Sequence, residues 1–171
     1  MSEDVRLRPL VARTAEDERL VERLLEGCED YYRRVHGRAP CAHDVDEVFG
    51  TPVAGLPAES VRAWIVERRG EAVGLAGLLS GWKRPGQSMI GLLAIDARQR
   101  RRGTGRSAVE ALEAFARSTP DGRSMRIGIV ETNAPAFDFW HALGYRETGE
   151  RRELEDFTAP VVILEKDLDG A

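Results

Sequence analysis

The chain has 171 residues, 42% hydrophobic and 32% charged, with a formal net charge of −4. That composition fits one domain over residues 1–171 with a real core, and the acidic balance argues against a general nucleic-acid binder, whose affinity rests on a basic surface. No apolar run approaches the ~20 residues of a membrane helix, the opening MSEDVRLRP lacks an apolar signal core, and Cys28 and Cys41 are too few for a disulfide framework. A cytoplasmic protein with reduced thiols and no membrane or nucleic-acid partner is therefore expected.

In chain order, Val5 to Leu10 alternates apolar and basic residues and suits an edge strand that stops at the proline. Thr14 followed by Asp17 resembles a helix cap, and Leu20, Val21, Leu24 and Leu25 recur at helical spacing through about Glu26. Glu29 to His36 reads as a second helix ending at Gly37, and Ala42 to Phe49 as a short third one, before the loop-like Gly50 to Pro57. Val61 to Arg68 and Glu71 to Ser80 flank the tight turn Arg69-Gly70 and read as a hairpin, with Val61, Ala63 and Ile65 on one face and Arg62, Trp64 and Val66 on the other. After the turn Gly81 to Gln87, Ser88 to Ile95 is apolar on both faces and belongs at the centre of a sheet. Ser107 to Ala116 aligns Val109, Leu112, Phe115 and Ala116 on one helical face, and Thr119-Pro120-Asp121-Gly122 ends it. Met125, Ile127 and Ile129 alternate in a further strand, Asn133 and Pro135 open a helix over Ala134 to Leu143, and two strands follow at Tyr145 to Leu154 and Val161 to Lys166. An α/β architecture results, a mixed six- to seven-stranded sheet with helices on both faces.

The organising stretch is Met89 to Arg106, where the central strand breaks at Asp96 into a loop carrying Arg98, Arg100, Arg101, Arg102 and Arg106 around Gly103-Thr104-Gly105. The first N–H groups of a helix lack intrahelical partners and carry the positive end of its dipole, so a strand, a glycine-bearing loop and a helix start make a phosphate site. Glycines at 103 and 105 let the backbone approach the ligand and take φ values that other residues resist. An arginine cluster on an acidic chain suggests a small polyanion, and Arg-Arg-Arg-Gly-Thr-Gly reads as pyrophosphate recognition. The spacing lacks the Gly-Lys-Ser/Thr ending of a P-loop and the third glycine of a dinucleotide fingerprint. Lys83 and Lys166 are the only lysines, a bias that fits a GC-rich, bacterial genome.

These residues resemble the GNAT superfamily of acyl-CoA-dependent N-acetyltransferases. Arg100-Arg101-Arg102-Gly103-Thr104-Gly105 matches the Gln/Arg-x-x-Gly-x-Gly/Ala loop, and Leu93-Ala94-Ile95-Asp96 the strand before it. Downstream, Asn133 to Tyr145 is similar to the family's Asn-x-x-Ala motif with its aromatic pair and terminal Gly-Tyr. The resemblance implies acetyl-CoA as cosubstrate. The strand Leu93, Ala94 and Ile95 would pair with the pantetheine arm, and Arg100, Arg101, Arg102, Gly103, Thr104, Gly105 and Arg106 would hold the pyrophosphate. Asn133 would meet the pantetheine, with Ala136, Phe139 and Trp140 on the distal wall. It also implies direct transfer to an amine in a ternary complex, and dimerisation is common enough in the family that a homodimer is expected.

One departure matters chemically. Family members commonly carry a tyrosine where this chain has Trp140, and an indole N–H cannot supply a proton to the departing thiolate. Tyr31, Tyr32 or water are the substitutes, and thiolate, with a thiol pKa of about 8.5, is a fair leaving group. The amine must lose a proton to attack, and Glu131, at the exit of a strand, is the candidate base, with Glu26, Glu29 and Asp30 as candidate partners of a cationic acceptor. Trp82 reads either as a surface aromatic or as a lid, and His36, His43 and His141 as structural or surface residues; no metal is expected. The acceptor class stays open. A sensor or structural domain that binds acyl-CoA without turnover is the rival from another class.

Overall fold

The computed structural model describes residues 4–50, 52–119 and 122–169, so Thr51, Pro120 and Asp121 of the expected loops lie outside the described residues. Among the described residues seven strands form one sheet in the order β1-β2-β3-β4-β5-β7-β6. They are β1 (Val5–Pro9), β2 (Val61–Arg68), β3 (Glu71–Ser80), β4 (Gln87–Ile95), β5 (Ser124–Val130), β6 (Arg146–Arg152) and β7 (Val161–Asp167). Among these pairs of described strands β4–β5 alone is parallel. The helices are α1 (Ala15–Glu26), α2 (Glu29–His36), α3 (Ala42–Val48), α4 (Thr104–Ser118) and α5 (Ala134–Ala142).

Local chemistry accounts for the element boundaries. The Thr14 hydroxyl accepts the Asp17 N–H and caps α1, and Gly37, at φ 70°, closes α2 in the left-handed region. The hairpin faces divide as the alternation requires. Trp64 and Val66 join the core beneath α4 and α5, and Ile65 packs with Val21, Leu24 and Leu25 of α1 and Val45 and Val48 of α3. A smaller cluster of Val35, Val130, Val161 and Ile163 seats the end of α2 on β5 and β7. Apolar burial on both faces makes the sheet the middle layer.

Two boundaries differ from the sequence expectation in a way that touches function. Helix α4 begins at Thr104, not Ser107, because Gly103 at φ 80° turns the chain into it directly. Gly105 and Arg106 thereby belong to the first helical turn. The sheet is also not continuous: β4 and β5 pair only from Gln87↔Ser124 to Ile90↔Ile127. Past Ile90, the β3–β4 register skips Gly91, since Leu78 faces Ile90 and Gly77 faces Leu92. This bulge bends β4 away, and β5 continues alone with β7 to Val130, leaving a cleft between the outer halves of β4 and β5.

Candidate active site

The Asp96 N–H donates to the Val73 carbonyl at 2.9 Å. Backbone groups alternate direction along a strand, so those of Ala94, which is paired with Leu75, also point to β3, whereas those of Leu93 and Ile95 point to the cleft. Among the described residues Leu93 thus offers an unpaired N–H and C=O there, and Ile95 offers its N–H, while its carbonyl accepts Arg100 Nε at 2.8 Å. Ala94 presents no backbone group to the cleft, and its methyl is buried against the α1 side.

The arginine loop separates into two sets. Arg98 donates from its backbone and guanidinium to Asp96, whose carboxyl it holds below the usual carboxylate range. Gly27, at the α1–α2 junction, fits against this turn because a Cβ there would lie 2.6 Å from Asp96 Oδ2. Arg100 donates to both oxygens of Asp30 at 2.6 and 2.9 Å, besides Ile95. Its guanidinium is committed to the protein, which departs from the expected phosphate contact. Arg101, Arg102 and Arg106 are exposed and have no side-chain partner among the described residues. Arg101 at φ 63° and Gly103 at φ 80° turn the loop so that the α4 N-terminus, with its unpaired N–H groups, stands beside these cations. The two glycines do different jobs: a Cβ on Gly103 would meet nothing within 4 Å, whereas one on Gly105 would touch the Phe139 ring at 3.4 Å. Gly105 therefore sets the approach of α5 to α4. The Thr104 side chain is buried with its hydroxyl unpartnered among the described residues, leaving its backbone N–H as the polar group it brings to the helix start.

The second motif lies across the cleft. Asn133 stands at the N-cap of α5 without capping it, and its Oδ1 accepts Arg34 Nη1 at 3.0 Å. Ala136 and Phe139 are partly buried on the α4 side. Trp140 is 4% exposed and packs edge-to-face on Phe139 and Tyr145, with ring centroids 5.1 and 4.9 Å away, so its indole is a core element. Tyr145 is fully buried and donates to Glu113 at 3.1 Å.

The acid–base candidates are sorted by position. Tyr31 packs against both the cluster containing Ala94 of β4 and the one containing Val130 of β5, which places it at the parting of the two strands. Its hydroxyl has no hydrogen-bond partner among the described residues, and burial pushes its pKa up to about 12. Tyr32 is 5% exposed and stacks on His36 inside the α1–α3 core, where burial raises it further. Glu131 reaches across β7 to pair with Arg151 of β6, on the side away from β4. Glu29 pairs with Arg33 and Asp30 with Arg100, so of the three acidic candidates near α2 only Glu26 stays exposed and unpaired among the described residues. Cys28 is buried, and burial pushes its thiol up to about 11, which makes it a poor nucleophile. Trp82 is half-buried in the β3–β4 turn beneath Lys83 Nζ.

Sequence reasoning missed two things. One is Arg126 of β5, buried opposite Met89 and paired with Glu150 of β6 and Glu165 of β7. The other is the attachment of α2: the Arg34 carbonyl accepts the hydroxyls of Thr132 and Thr158, and Thr158 N–H donates to Val35. Neither carries a local signal, since each depends on strands brought together from distant segments.

No curated protein sequence matches the chain. Solved structures do match in fold: an acetyltransferase from Thermus thermophilus at 22% identity, TM-score 0.71, over 96% of this chain and 97% of that one. An aminoglycoside acetyltransferase in complex with coenzyme A aligns at 24% identity, TM-score 0.71, over 95% and 94%. The ribosomal-protein-S18-alanine N-acetyltransferase from Escherichia coli aligns at 16% identity, TM-score 0.66, over 98% and 96%. The family model described as the acetyltransferase (GNAT) family matches residues 22–145, and the chain belongs to that family.

Proposed function

We propose that the protein transfers an acetyl group from acetyl-CoA to a primary amine of a small molecule or peptide, by direct attack in a ternary complex in the cytoplasm. The observation that carries this reading is the parting of β4 from β5, which leaves the Leu93 and Ile95 edge unpaired and leads it to a helix N-terminus flanked by Arg101, Arg102 and Arg106. An extended amide-bearing arm pairs with such an edge as an added strand, and a pyrophosphate suits that helix start. Phe139 and Ala136, on the far wall, cover the arm's other side. Asn133, held by Arg34 at the start of α5, meets the arm where it enters the cleft.

The reaction forms one C–N bond and breaks one C–S bond. The neutral amine attacks the thioester carbonyl, and the surplus proton on nitrogen leaves as the sulfur takes the bond electrons and a proton, so a free amine needs no net acid or base. The protein's contributions are proximity and fixed dipoles. With Glu131 turned to Arg151, deprotonation of the amine falls to solvent rather than to that carboxylate. Trp140 is locked in the core, and we assign to Tyr31 the hydrogen bond to the departing sulfur, on the strength of its packing between the β4 and β5 clusters. Its raised pKa keeps it protonated throughout the working range.

Release of free thiol from acetyl-CoA over a panel of small amines, aminoglycosides, amino acids, polyamines and peptides tests the proposal. Amine-dependent release is expected. Tight CoA binding with no release on any amine would replace it with an acyl-CoA sensor.

A further inference from the structure

Asp30, the second residue of α2, joins elements that are far apart in the chain. Its two oxygens accept Nη1 and Nη2 of Arg100 at 2.6 and 2.9 Å, and the same guanidinium donates through Nε to the carbonyl that ends β4 at 2.8 Å. One turn along α2, Arg34 lies 3.8 Å from Asp30 and donates to Asn133 Oδ1 at 3.0 Å. Helix α2 is thereby strung from the end of β4 to the start of α5, across the mouth of the cleft, and Tyr31 sits between the two attachments. Nε, Nη1 and Nη2 of Arg100 each donate to the protein, so this arginine is committed to protein partners while Arg101, Arg102 and Arg106 have no side-chain partner among the described residues.

Resting on the acetyltransfer reading above, we propose that Asp30 is a positioning residue: it withholds Arg100 from the phosphates and fixes Tyr31 at the parting of β4 and β5. Both partners are partly exposed, with side-chain exposures of 43% for Asp30 and 32% for Arg100, so replacing Asp30 leaves the core intact.

The two duties give opposite signs when the carboxylate is neutralised. Asp30→Asn removes a negative charge beside the loop and frees Arg100, so CoA should bind about two- to fivefold more tightly, the size of an exposed charge pair. Tyr31 loses its anchor, and kcat should fall about tenfold, since small misplacements at a reacting centre carry large rate penalties. Calorimetric titration of the full chain with CoA and thiol release with the best amine read the two effects separately. Asp30→Glu, which keeps the carboxylate, should recover at least half of the lost kcat. In an Arg100→Ala background the Asp30→Asn change should no longer tighten CoA. Weaker CoA binding by Asp30→Asn, an unchanged kcat, or tightening that survives Arg100→Ala would each overturn the proposal; a general structural defect would weaken binding and turnover together. Should the wild-type chain release no thiol with any amine, the acetyltransfer reading fails on its own, and the CoA titrations still decide whether Asp30 withholds Arg100.

Discussion

Replacing each loop glycine by alanine separates their roles. Gly103 sits at φ 80° with open space where a Cβ would go, so Gly103→Ala meets no clash but must hold an L-residue in the left-handed region, at about 1–2 kcal/mol. Gly105 lies in the first turn of α4, and its Cβ would make an ordinary 3.4 Å contact with Phe139. Gly105→Ala should therefore gain about 0.5–1 kcal/mol by removing backbone freedom from the unfolded chain. The two variants should differ by about 2 kcal/mol, which for a chain of this size is roughly 4–8 °C in Tm. Differential scanning calorimetry reads the difference, and CoA titration should show Gly103→Ala weakened and Gly105→Ala close to wild type. A Gly105→Ala protein that melts below wild type, or a Gly103→Ala protein that melts with it, would refute the assignment of strain to one glycine and packing to the other.

Other expectations follow from named contacts. Tyr31→Phe should lower kcat about tenfold, the size of a lost hydrogen bond of about 1.5 kcal/mol to a charged sulfur, with little change in the acetyl-CoA KM, and Tyr32→Phe should leave the thiol-release rate near wild type. Glu113 is buried and accepts Lys166 Nζ at 2.8 Å through both oxygens, besides Tyr145, so Glu113→Leu should cost about 3–5 kcal/mol in urea unfolding by stranding the ammonium, and Glu113→Gln less. The pH dependence of stability has a definite sign. Arg98 holds Asp96 down, and at Asp44 the upward push of burial is outweighed by Arg38 and the Cys41 amide, so both carboxyls sit below their ordinary value. Their stabilisation is complete above the unfolded Asp value of about 3.9 and is lost as pH falls through the lower folded values. Melting temperature should hold between pH 7 and about 5 and drop below about 4, and Asp44→Asn should flatten that drop.

What the sequence revealed and concealed follows the range of the forces involved. The β2–β3 hairpin, the Thr14 cap, the Gly37 stop and the central place of β4 rest on neighbours a few residues apart, and these are legible. The two motifs that carry the family resemblance are legible for the same reason. The start of α4 is not, because only the left-handed φ at Gly103 shows that the helix begins at once. Arg100 looks like its neighbours in the run, and its partner Asp30 lies 70 positions away. Glu131 looks free at a strand exit because its partner Arg151 comes near only once β7 is inserted between β5 and β6. Adjacent tyrosines carry no local difference, and the packing that sends Tyr32 into the core and Tyr31 to the cleft is entirely tertiary.

The central claim is that the open β4 edge and the α4 N-terminus hold coenzyme A. Calorimetric titration of CoA into the wild-type chain and into an Arg101→Glu/Arg102→Glu variant tests it most directly. One CoA per chain is expected for wild type, and about tenfold or weaker affinity for the variant, whose two reversals change four units of charge beside the pyrophosphate. Absence of CoA binding by the wild-type chain, or equal affinity in the two proteins, would contradict it.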